Sequence, residues 1–248
     1  MPTGDTHDYL RLFHTSDLHL GYGGESVSAA QSKLGQIVSA AIQAECIILI
    51  VAGDMFDNNR VSMDLVRSAC DLLGGSRLHV IVLPGNHDCL VEDSVYRKID
   101  LVDGSDLHIL TEPDGERVFL NEEPVGVEIW GRPVIQHQAS FHPVAGAPRR
   151  SPALISIGVA HGQFVNDQDE GHAWSGLASP ILASEVAALD YDYLALGHWD
   201  HSANVSCGTT VAWYSGAPSQ HFGCPSGLVV SVALGRTTIV QSCPLPAG

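Results

Sequence analysis

Strand and helix signals alternate along the first third of the chain, and this alternation limits the possible fold more than any other feature. Apolar runs at 10–17, 46–54 and 78–88 predict strands. The segments 27–45 and 61–73 carry apolar residues at helical spacing and predict amphipathic helices. The resulting order, βαβαβ, implies parallel strands with right-handed crossovers, and therefore an α/β fold.

The second half of the chain is richer in short strands. A helix is predicted over 179–190, with Ser179 or Ser184 as its N-cap. Residues 136–152 are rich in Pro, Ala and Gly, which predicts a surface loop or linker. We expect a single domain over 1–248, with no clear capping domain. The predicted strands of this half are 126–134, 154–162, 191–200, 209–216, 227–234 and 236–242.

The amino-acid composition limits the kinds of molecule that the protein is expected to bind. Of the 248 residues, 45% are apolar and 16% charged, which supports a sizeable buried core. The 28 acidic residues outnumber the 12 basic ones and give a net charge of −16, whereas a protein that holds DNA through its phosphates usually carries a basic stripe. Some of the acidic side chains could be metal ligands, and the alternative is a solvated acidic surface.

The six cysteines are scattered without a C-x-x-C pair, which predicts reduced thiols and a cytoplasmic location. The N-terminal residues lack the basic and apolar regions of a signal peptide. No apolar run approaches the roughly 20 residues of a membrane helix, so we expect no membrane partner.

Metal-ligand side chains follow five of the predicted strands. Ligands of open α/β sheets bind beyond the carboxyl ends of the strands, so these side chains should converge if the strands are neighbours. Each pattern alone is weak, but core strands do not usually end repeatedly in unpaired carboxylates and imidazoles, because their burial is costly. The residues are Asp17 and His19, then Asp54 and Asp57, then Asn86, His87 and Asp88, then His161, and finally His198, Asp200 and His201.

The motifs D-x-H, G-D-x-x-D, G-N-H-D, H-G and G-H-x-(H/D) occur in this order over residues 14–201. The set resembles the calcineurin-like metallophosphoesterase superfamily. The wording "HTSDLHLG", "AGDMFDNNRV" and "VLPGNHD" is more similar to its SbcD-type DNA repair exonuclease branch than to its phosphoprotein phosphatase branch, and "WYSGAPSQHFG" at 213–223 resembles a later segment of that branch. The resemblance implies a four-layer α/β/β/α sandwich with mixed sheets.

The resemblance also implies two metal sites that share the carboxylate of Asp54. One metal would take Asp17, His19, Asp54 and a residue of the last motif, and the second would take Asp54, Asn86, His161 and His198. Carboxylate and amide oxygens mixed with imidazoles suit Mn first, with Fe or Zn as alternatives. Two metals roughly 3.5–4 Å apart can clamp a phosphate and activate a bridging water for attack on phosphorus.

The last motif departs from the superfamily pattern, which usually ends in G-H-x-H. The position of the second histidine is taken by Asp200, and His201 stands one residue later. Alternate residues at a strand end point the same way, which favours Asp200 as the ligand. The alternative is a local kink that brings His201 to the metal.

His87 falls outside both ligand sets, so we expect it to stabilise the transition state or the leaving alkoxide as a protonated group. Asp88 could orient His87 and keep it charged, or cap a helix or turn. Asp57 is expected to fix the loop after Asp54 or to cap the next helix. Arg60 could contact a phosphate, or be a solvated residue at a helix start.

These features predict a dinuclear phosphodiesterase, first of all a DNA exonuclease-like enzyme with a phosphodiester substrate. The acidic charge counts against autonomous DNA processing, as does the expectation that residues after 226 form no capping domain, and an SbcC-type ATPase partner could supply the basic surface. The alternatives are a small-molecule phosphodiesterase or phosphomonoesterase, and a non-catalytic scaffold on the same fold.

Overall fold

The computed structural model describes residues 9–99, 106–121, 125–136, 141–167, 179–218 and 226–245. Its first sheet has six strands in the order β14-β13-β1-β2-β3-β4, where strands are numbered along the chain. These strands are β1 (Leu10–Thr15), β2 (Ile48–Ala52), β3 (His79–Leu83), β4 (Leu107–Ile109), β13 (Ser226–Val232) and β14 (Ile239–Pro244).

A second sheet, also of six strands, has the order β11-β12-β10-β7-β6-β5. Its strands are β5 (Glu116–Leu120), β6 (Val127–Gly131), β7 (Ile155–His161), β10 (Tyr193–Gly197), β11 (Ala203–Asn204) and β12 (Ala212–Tyr214). A small parallel sheet pairs β8 (Gln163–Val165) with β9 (Pro180–Leu182). The α-helices are α1 (Val27–Gln43), α2 (Met63–Gly74) and α3 (Ala183–Leu189).

The predicted βαβαβ unit is confirmed. Strands β1, β2 and β3 are parallel neighbours, and α1 and α2 are the crossovers between them. Both helices begin after a serine whose side chain accepts a backbone hydrogen bond, Ser26 from Ala29 at 3.2 Å and Ser62 from Leu65 at 3.3 Å. Such caps satisfy donors that the first helical turn leaves open.

Alternate residues of β2 pack on opposite faces of the first sheet. Leu49 and Val51 pack in the cluster under α1 and α2, whereas Ile48 and Ile50 pack in the cluster between the two sheets. The outer face of the second sheet is covered by a third cluster that contains Val186 of α3. The layers therefore run α/β/β/α, and the predicted sandwich with two mixed sheets is confirmed.

The segment after the second-half loop differs from the prediction. The helix expected over 179–190 begins only at Ala183, because the preceding residues pair with β8 as β9. Neither Ser179 nor Ser184 caps it. Instead Glu185 accepts a hydrogen bond of 2.9 Å from the backbone N–H of Leu182.

In the predicted loop 136–152, residues 137–140 lie outside the described part, and 141–152 contain turns without strand or helix. The short strands β4, β5, β8, β9 and β11 were not predicted, because segments of two to five residues give little periodicity. None of the helices in the described ranges is long and apolar enough to cross a membrane.

Candidate metal centre

One cavity of about 670 Å³ opens where the loops after β1, β2, β3 and β10 meet. The two sheets bring these loops together because the carboxyl ends of their parallel strands lie at the same edge. His161, at the end of β7, is buried and contacts Asn86, which lines the cavity. Eight of the predicted site residues line the cavity: Asp17, His19, Asp54, Asp57, Asn86, His87, His198 and Asp200.

The loops after β1 and β2 are hydrogen-bonded to each other through their backbones. The N–H of Asp17 donates to Gly53 O and the N–H of His19 to Asp54 O, both at 3.0 Å. Four of the seven described non-glycine residues with positive φ are predicted ligands, an uncommon conformation that clusters at functional sites. They are Asp17 (54°), His19 (45°), Asp54 (53°) and His198 (111°).

Two glycines allow the close approach of these side chains. A Cβ on Gly53, whose φ is +94°, would overlap the imidazole of His161, and a Cβ on Gly85 would overlap the carboxylate of Asp54. The glycines of the G-D and G-N-H-D motifs are therefore needed for space around the ligands, which is a use of glycine separate from its turn-forming freedom.

Asn86 Oδ1 lies between two imidazoles. It is 2.8 Å from Nε2 of His161 and 3.0 Å from Nδ1 of His198. Nδ1 of His161 donates to the carbonyl of Ala52 at 2.9 Å, so Nε2 is the atom that faces the site, as in many metal-binding histidines. An amide oxygen and two imidazole nitrogens that converge in this way fit a divalent transition-metal ion.

Asp54 belongs to two groups of converging ligand atoms. One group joins it to Asp17 and His161, and the other joins it to His19 and His87, with all atoms of a group within 4.8 Å of one another. The carboxylate is 2% exposed, and its Oδ2 lies 3.4 Å from Nε2 of His161. A carboxylate common to both groups fits the bridging position that the resemblance implies.

The buried carboxylates place a strong negative potential at this point. Burial raises the pKa of Asp17 to about 7, and the neighbouring Asp54 adds to the rise while His161 opposes it. Burial also acts to raise the pKa of Asp54, but the charge and hydrogen bond of His161 and the N–H of His87 outweigh it and hold this pKa below its usual range. Burial acts to lower the pKa of His161, yet Asp54 and Asp17 raise it to about 10. The cluster therefore favours positive charge.

His87 stands at the exposed rim of the cavity. Its backbone N–H donates to Oδ1 of Asp54 at 2.9 Å, and its Nδ1 donates to the carbonyl oxygen of Asp57 at 2.9 Å. Its ring meets that of His19 edge to face, with centroids 4.6 Å apart. The second ring nitrogen is thus the one left to act on a ligand in the cavity.

The carboxylate of Asp88 accepts hydrogen bonds from groups other than His87, the partner that one of the two predictions gave it. Its Oδ1 accepts from Gly85 N at 2.8 Å, and its Oδ2 accepts from Phe56 N at 3.0 Å and from the hydroxyl of Tyr96 at 2.6 Å. Burial raises its pKa to about 6. These contacts match the turn-capping alternative, and it is the carbonyl of Asp57 that contacts the ring of His87.

Asp57 and Arg60 each donate a local hydrogen bond from the backbone N–H. The N–H of Asp57 donates to Leu20 O at 3.1 Å, which fixes the loop after Asp54, whereas the cap of α2 is Ser62. Oδ1 of Asp57 lies 3.9 Å from Nδ1 of His19. Arg60 is exposed, and its backbone N–H donates to Asn58 Oδ1 at 2.8 Å.

In the last motif, Asp200 lines the cavity, whereas His201 is exposed and is not among the described residues that line it. The carbonyl of Asp200 accepts from Ala217 N at 3.1 Å, so the segment after β12 holds this loop. Residues 219–223 of that segment lie outside the described part of the chain.

Sequence reasoning missed the side chains that hold the last motif. The ring of Trp199 stacks on Tyr214 with centroids 4.4 Å apart and planes at 9°. Its Nε1 donates to Oε1 of Gln163 at 3.0 Å, and Gln163 follows the His161 motif on β8. The tryptophan between two predicted ligands was a signal in the sequence, but nothing there marked Gln163.

Residues 10–199, well over half of the chain, match the family described as calcineurin-like phosphoesterase. The chain therefore belongs to the calcineurin-like phosphoesterase family, and membership implies metal-dependent hydrolysis of phosphoesters. A search of curated proteins finds no match.

Solved structures support the same fold. One crystal structure overlays with a TM-score of 0.63 at 10% identity and covers 95% of this chain and 99% of its own. The crystal structure of TT1561 of Thermus thermophilus overlays with a TM-score of 0.56 at 11% identity, covering 94% and 99%. At such identities the overlays show the fold alone.

Proposed function

We propose that this chain hydrolyses phosphodiester bonds with two divalent metal ions bound beside Asp54. The observation that carries the proposal is the position of this carboxylate, which lies in two groups of ligand atoms at the carboxyl ends of both sheets. A shared ligand is what a pair of neighbouring metals needs. The bound ions would act as Lewis acids on the phosphate and lower the pKa of a water molecule.

The proposed ligands divide between the two ions as the resemblance implies. Asp17, His19 and Asp200 would join Asp54 at one ion, and Asn86, His161 and His198 would join it at the other. Asp200 is preferred to His201 because it lines the cavity. Mn is proposed first for the mixed oxygen and imidazole set, with Fe or Zn as alternatives.

His87 is proposed to donate a proton, or a hydrogen bond, to the leaving alkoxide. Its Nδ1 is held by the carbonyl of Asp57, which leaves Nε2 for the substrate. Its exposed position at the rim suits contact with a group that enters from solvent. Positioned proton transfer of this kind contributes roughly 10²–10⁴-fold to rate.

Two substrates remain candidates, each with its own support. The wording of the first three motifs supports a DNA exonuclease-like enzyme that acts in repair with an SbcC-type ATPase partner. The rim supports a small phosphodiester, because Glu25, Asp57 and Asp200 line the cavity and Lys33 is the one Lys or Arg among its described lining residues. The acidic net charge of −16 also favours a small phosphodiester over DNA.

Turnover of three substrates tests the proposal. Protein loaded with Mn²⁺ should hydrolyse bis-p-nitrophenyl phosphate, and EDTA should abolish the activity. Single-stranded DNA and p-nitrophenyl phosphate, assayed in parallel, distinguish the nuclease, the small-molecule diesterase and the monoesterase. If metal-loaded protein turns over none of the three, the proposal is wrong and a non-catalytic scaffold is favoured. A cytoplasmic location and a single domain stay predictions from the sequence.

A further inference from the structure

We propose that Tyr22 forms a stacking site for the base of a nucleoside that is esterified to the scissile phosphate. The inference rests on the proposed function and specifies the substrate class of the same cavity. A nucleoside base could belong to the end of a DNA strand or to a small nucleotide diester, and the test below separates these sources.

Tyr22 is tied closely to the candidate ligands. It begins a short 3-10 turn, Tyr22–Gly24, three residues after His19, and its backbone N–H donates to His19 O at 3.1 Å. Its side chain lines the same cavity as His19 and Asp17. A phosphate bound by the metals would therefore have this ring as a neighbour.

The ring is presented to solvent and is not packed in a core. Tyr22 is 68% exposed, the most exposed of the large hydrophobic side chains in the described part of the chain. An aromatic side chain in a cavity offers a large contact area at a small cost in conformational entropy. A planar ligand would remove its apolar surface from water.

The turn around Tyr22 is rigidly attached. Glu25 accepts a hydrogen bond of 2.9 Å from Gly21 N, and Lys33 donates one of 2.6 Å to Leu18 O. Gly21, with φ of +92°, packs so close to Val61 that a Cβ would come within 2.8 Å of its Cγ1. These contacts fix the backbone of the turn, and therefore the point from which the ring projects, before a ligand binds.

The size of the cavity leaves room for such a group. About 670 Å³ lies within the range of roughly 300–1,000 Å³ that holds drug-sized ligands, far more than a phosphate alone requires. Besides the proposed metal ligands and His87, the cavity is lined by Leu18, Tyr22, Glu25, Lys33 and Asp57.

The charges beside the ring give a second phosphate no net attraction, because the carboxylate of Glu25 offsets the ammonium of Lys33. The ammonium group of Lys33 already donates to Leu18 O, and Glu25 adds a carboxylate. An uncharged planar group fits a site formed by the ring of Tyr22 and by a lysine, Lys33, that already donates a hydrogen bond to the protein. Every nucleobase has a π-face, so stacking on tyrosine tolerates any of the four bases.

Two diesters that differ only in the base test the proposal. One is the methyl ester of thymidine 5′-phosphate, and the other is the methyl ester of 1,2-dideoxyribose 5-phosphate, in which hydrogen replaces the base. With Mn-loaded protein and ³¹P NMR, kcat/KM should be about 10-fold higher for the thymidine ester. Tyr22→Ala should remove this preference by slowing the thymidine ester alone, and Tyr22→Phe should keep it.

Phe119→Ala is the matched control, because Phe119 is an aromatic residue of β5 that is 56% exposed and lies outside the described lining of the cavity. It should leave the preference unchanged. The proposal is overturned if Tyr22→Ala keeps the wild-type preference, or if it slows both esters equally.

A binding measurement separates failure of the site from failure of the proposed function. Calorimetric titration of metal-loaded protein with thymidine 5′-monophosphate should show about 10-fold weaker binding in Tyr22→Ala, whether or not either ester turns over. Equal binding by both proteins overturns the stacking site. Loss of turnover with Tyr22-dependent binding overturns only the proposed function.

An oligothymidylate assay identifies the source of the base. Hydrolysis of the oligonucleotide that depends on Tyr22 assigns the base to a DNA end. Hydrolysis confined to the thymidine ester, again dependent on Tyr22, assigns it to a small nucleotide diester. Both results support the stacking site, whereas oligonucleotide hydrolysis that is indifferent to Tyr22→Ala counts against it.

Discussion

The two sheets supply the candidate centre in different ways. The first sheet gives Asp17 and Asp54, which are 4% and 2% exposed and lie on loops joined by backbone hydrogen bonds. The second sheet gives His161, which is buried on its strand, but His198 and Asp200 lie on a half-buried to exposed loop. The loops of Asp17 and Asp54 are thus joined to each other through the main chain, whereas the loop of the last motif combines a main-chain bond to Asp200 O with side-chain contacts of Trp199.

This difference has a physical consequence. Backbone bonds between neighbouring parallel strands persist when a side chain is replaced, so substitutions in the first half should change the chemistry of a ligand without moving its loop. The loop of the last motif has the main-chain bond from Ala217 N to Asp200 O, and it depends in addition on the stack of Trp199 with Tyr214 and the hydrogen bond of Trp199 to Gln163. Substitutions there should move the ligands themselves.

Loss of the shared carboxylate should have the largest effect. Asp54→Asn is expected to abolish both metal binding and turnover, because it removes negative charge from both proposed sites at once. Metal content after dialysis and hydrolysis of bis-p-nitrophenyl phosphate measure the two effects. Asp64→Asn is the matched control, since the side chain of Asp64 on α2 is 88% exposed and should leave both unchanged. Full metal content in Asp54→Asn would contradict the bridging role.

His87→Ala should lower turnover by about 10²–10⁴-fold and leave metal content unchanged, because the proposed role of His87 is proton transfer. The geometry makes this a sharp test, since His87 also lies with His19 and Asp54 in one group of converging ligand atoms. If the variant loses metal, His87 is a ligand and the first-sheet half of the site holds one more metal contact than the resemblance implies.

Substitutions in the last motif should have the next largest effect, and they test which of its residues binds the metal. Asp200→Ala should weaken metal binding by at least about 10-fold, whereas His201→Ala should leave it unchanged, because Asp200 lines the cavity. Titration of the two variants with Mn²⁺ measures the affinities side by side. Weaker binding only in His201→Ala would show that a kink of the loop brings the histidine to the metal.

The elements and ligands of both halves could largely be predicted from the sequence, but the contacts that hold the ligands in place could not. The apolar runs and helix periods predicted the βαβαβ unit, and the strand-end motifs predicted which residues meet at its edge, whereas the sandwich was implied by the family resemblance. The partners of Asp88 were less predictable, since Phe56 and Tyr96 come near it only through tertiary packing. The anchoring of Trp199 by Gln163, a residue 36 positions away, has no local signal at all.

Loss of the hydrogen bond between Trp199 and Gln163 should have the smallest effect on metal binding. It tests whether side chains hold the loop of the last motif. Trp199→Phe and Gln163→Leu each remove the 3.0 Å hydrogen bond, and the phenylalanine can still stack on Tyr214. Groups that hydrogen-bond a metal ligand directly are worth roughly 10–100-fold in affinity. Since Gln163 acts through Trp199, which is not a ligand, and the stack remains, we expect a smaller loss of about 5-fold in Mn²⁺ affinity from either change. Since both variants remove the same bond, the double variant should be no weaker than either single one. Additive losses would mean that the two side chains hold the loop separately, and unchanged affinity would mean that the main chain fixes this half of the site as firmly as it fixes the first.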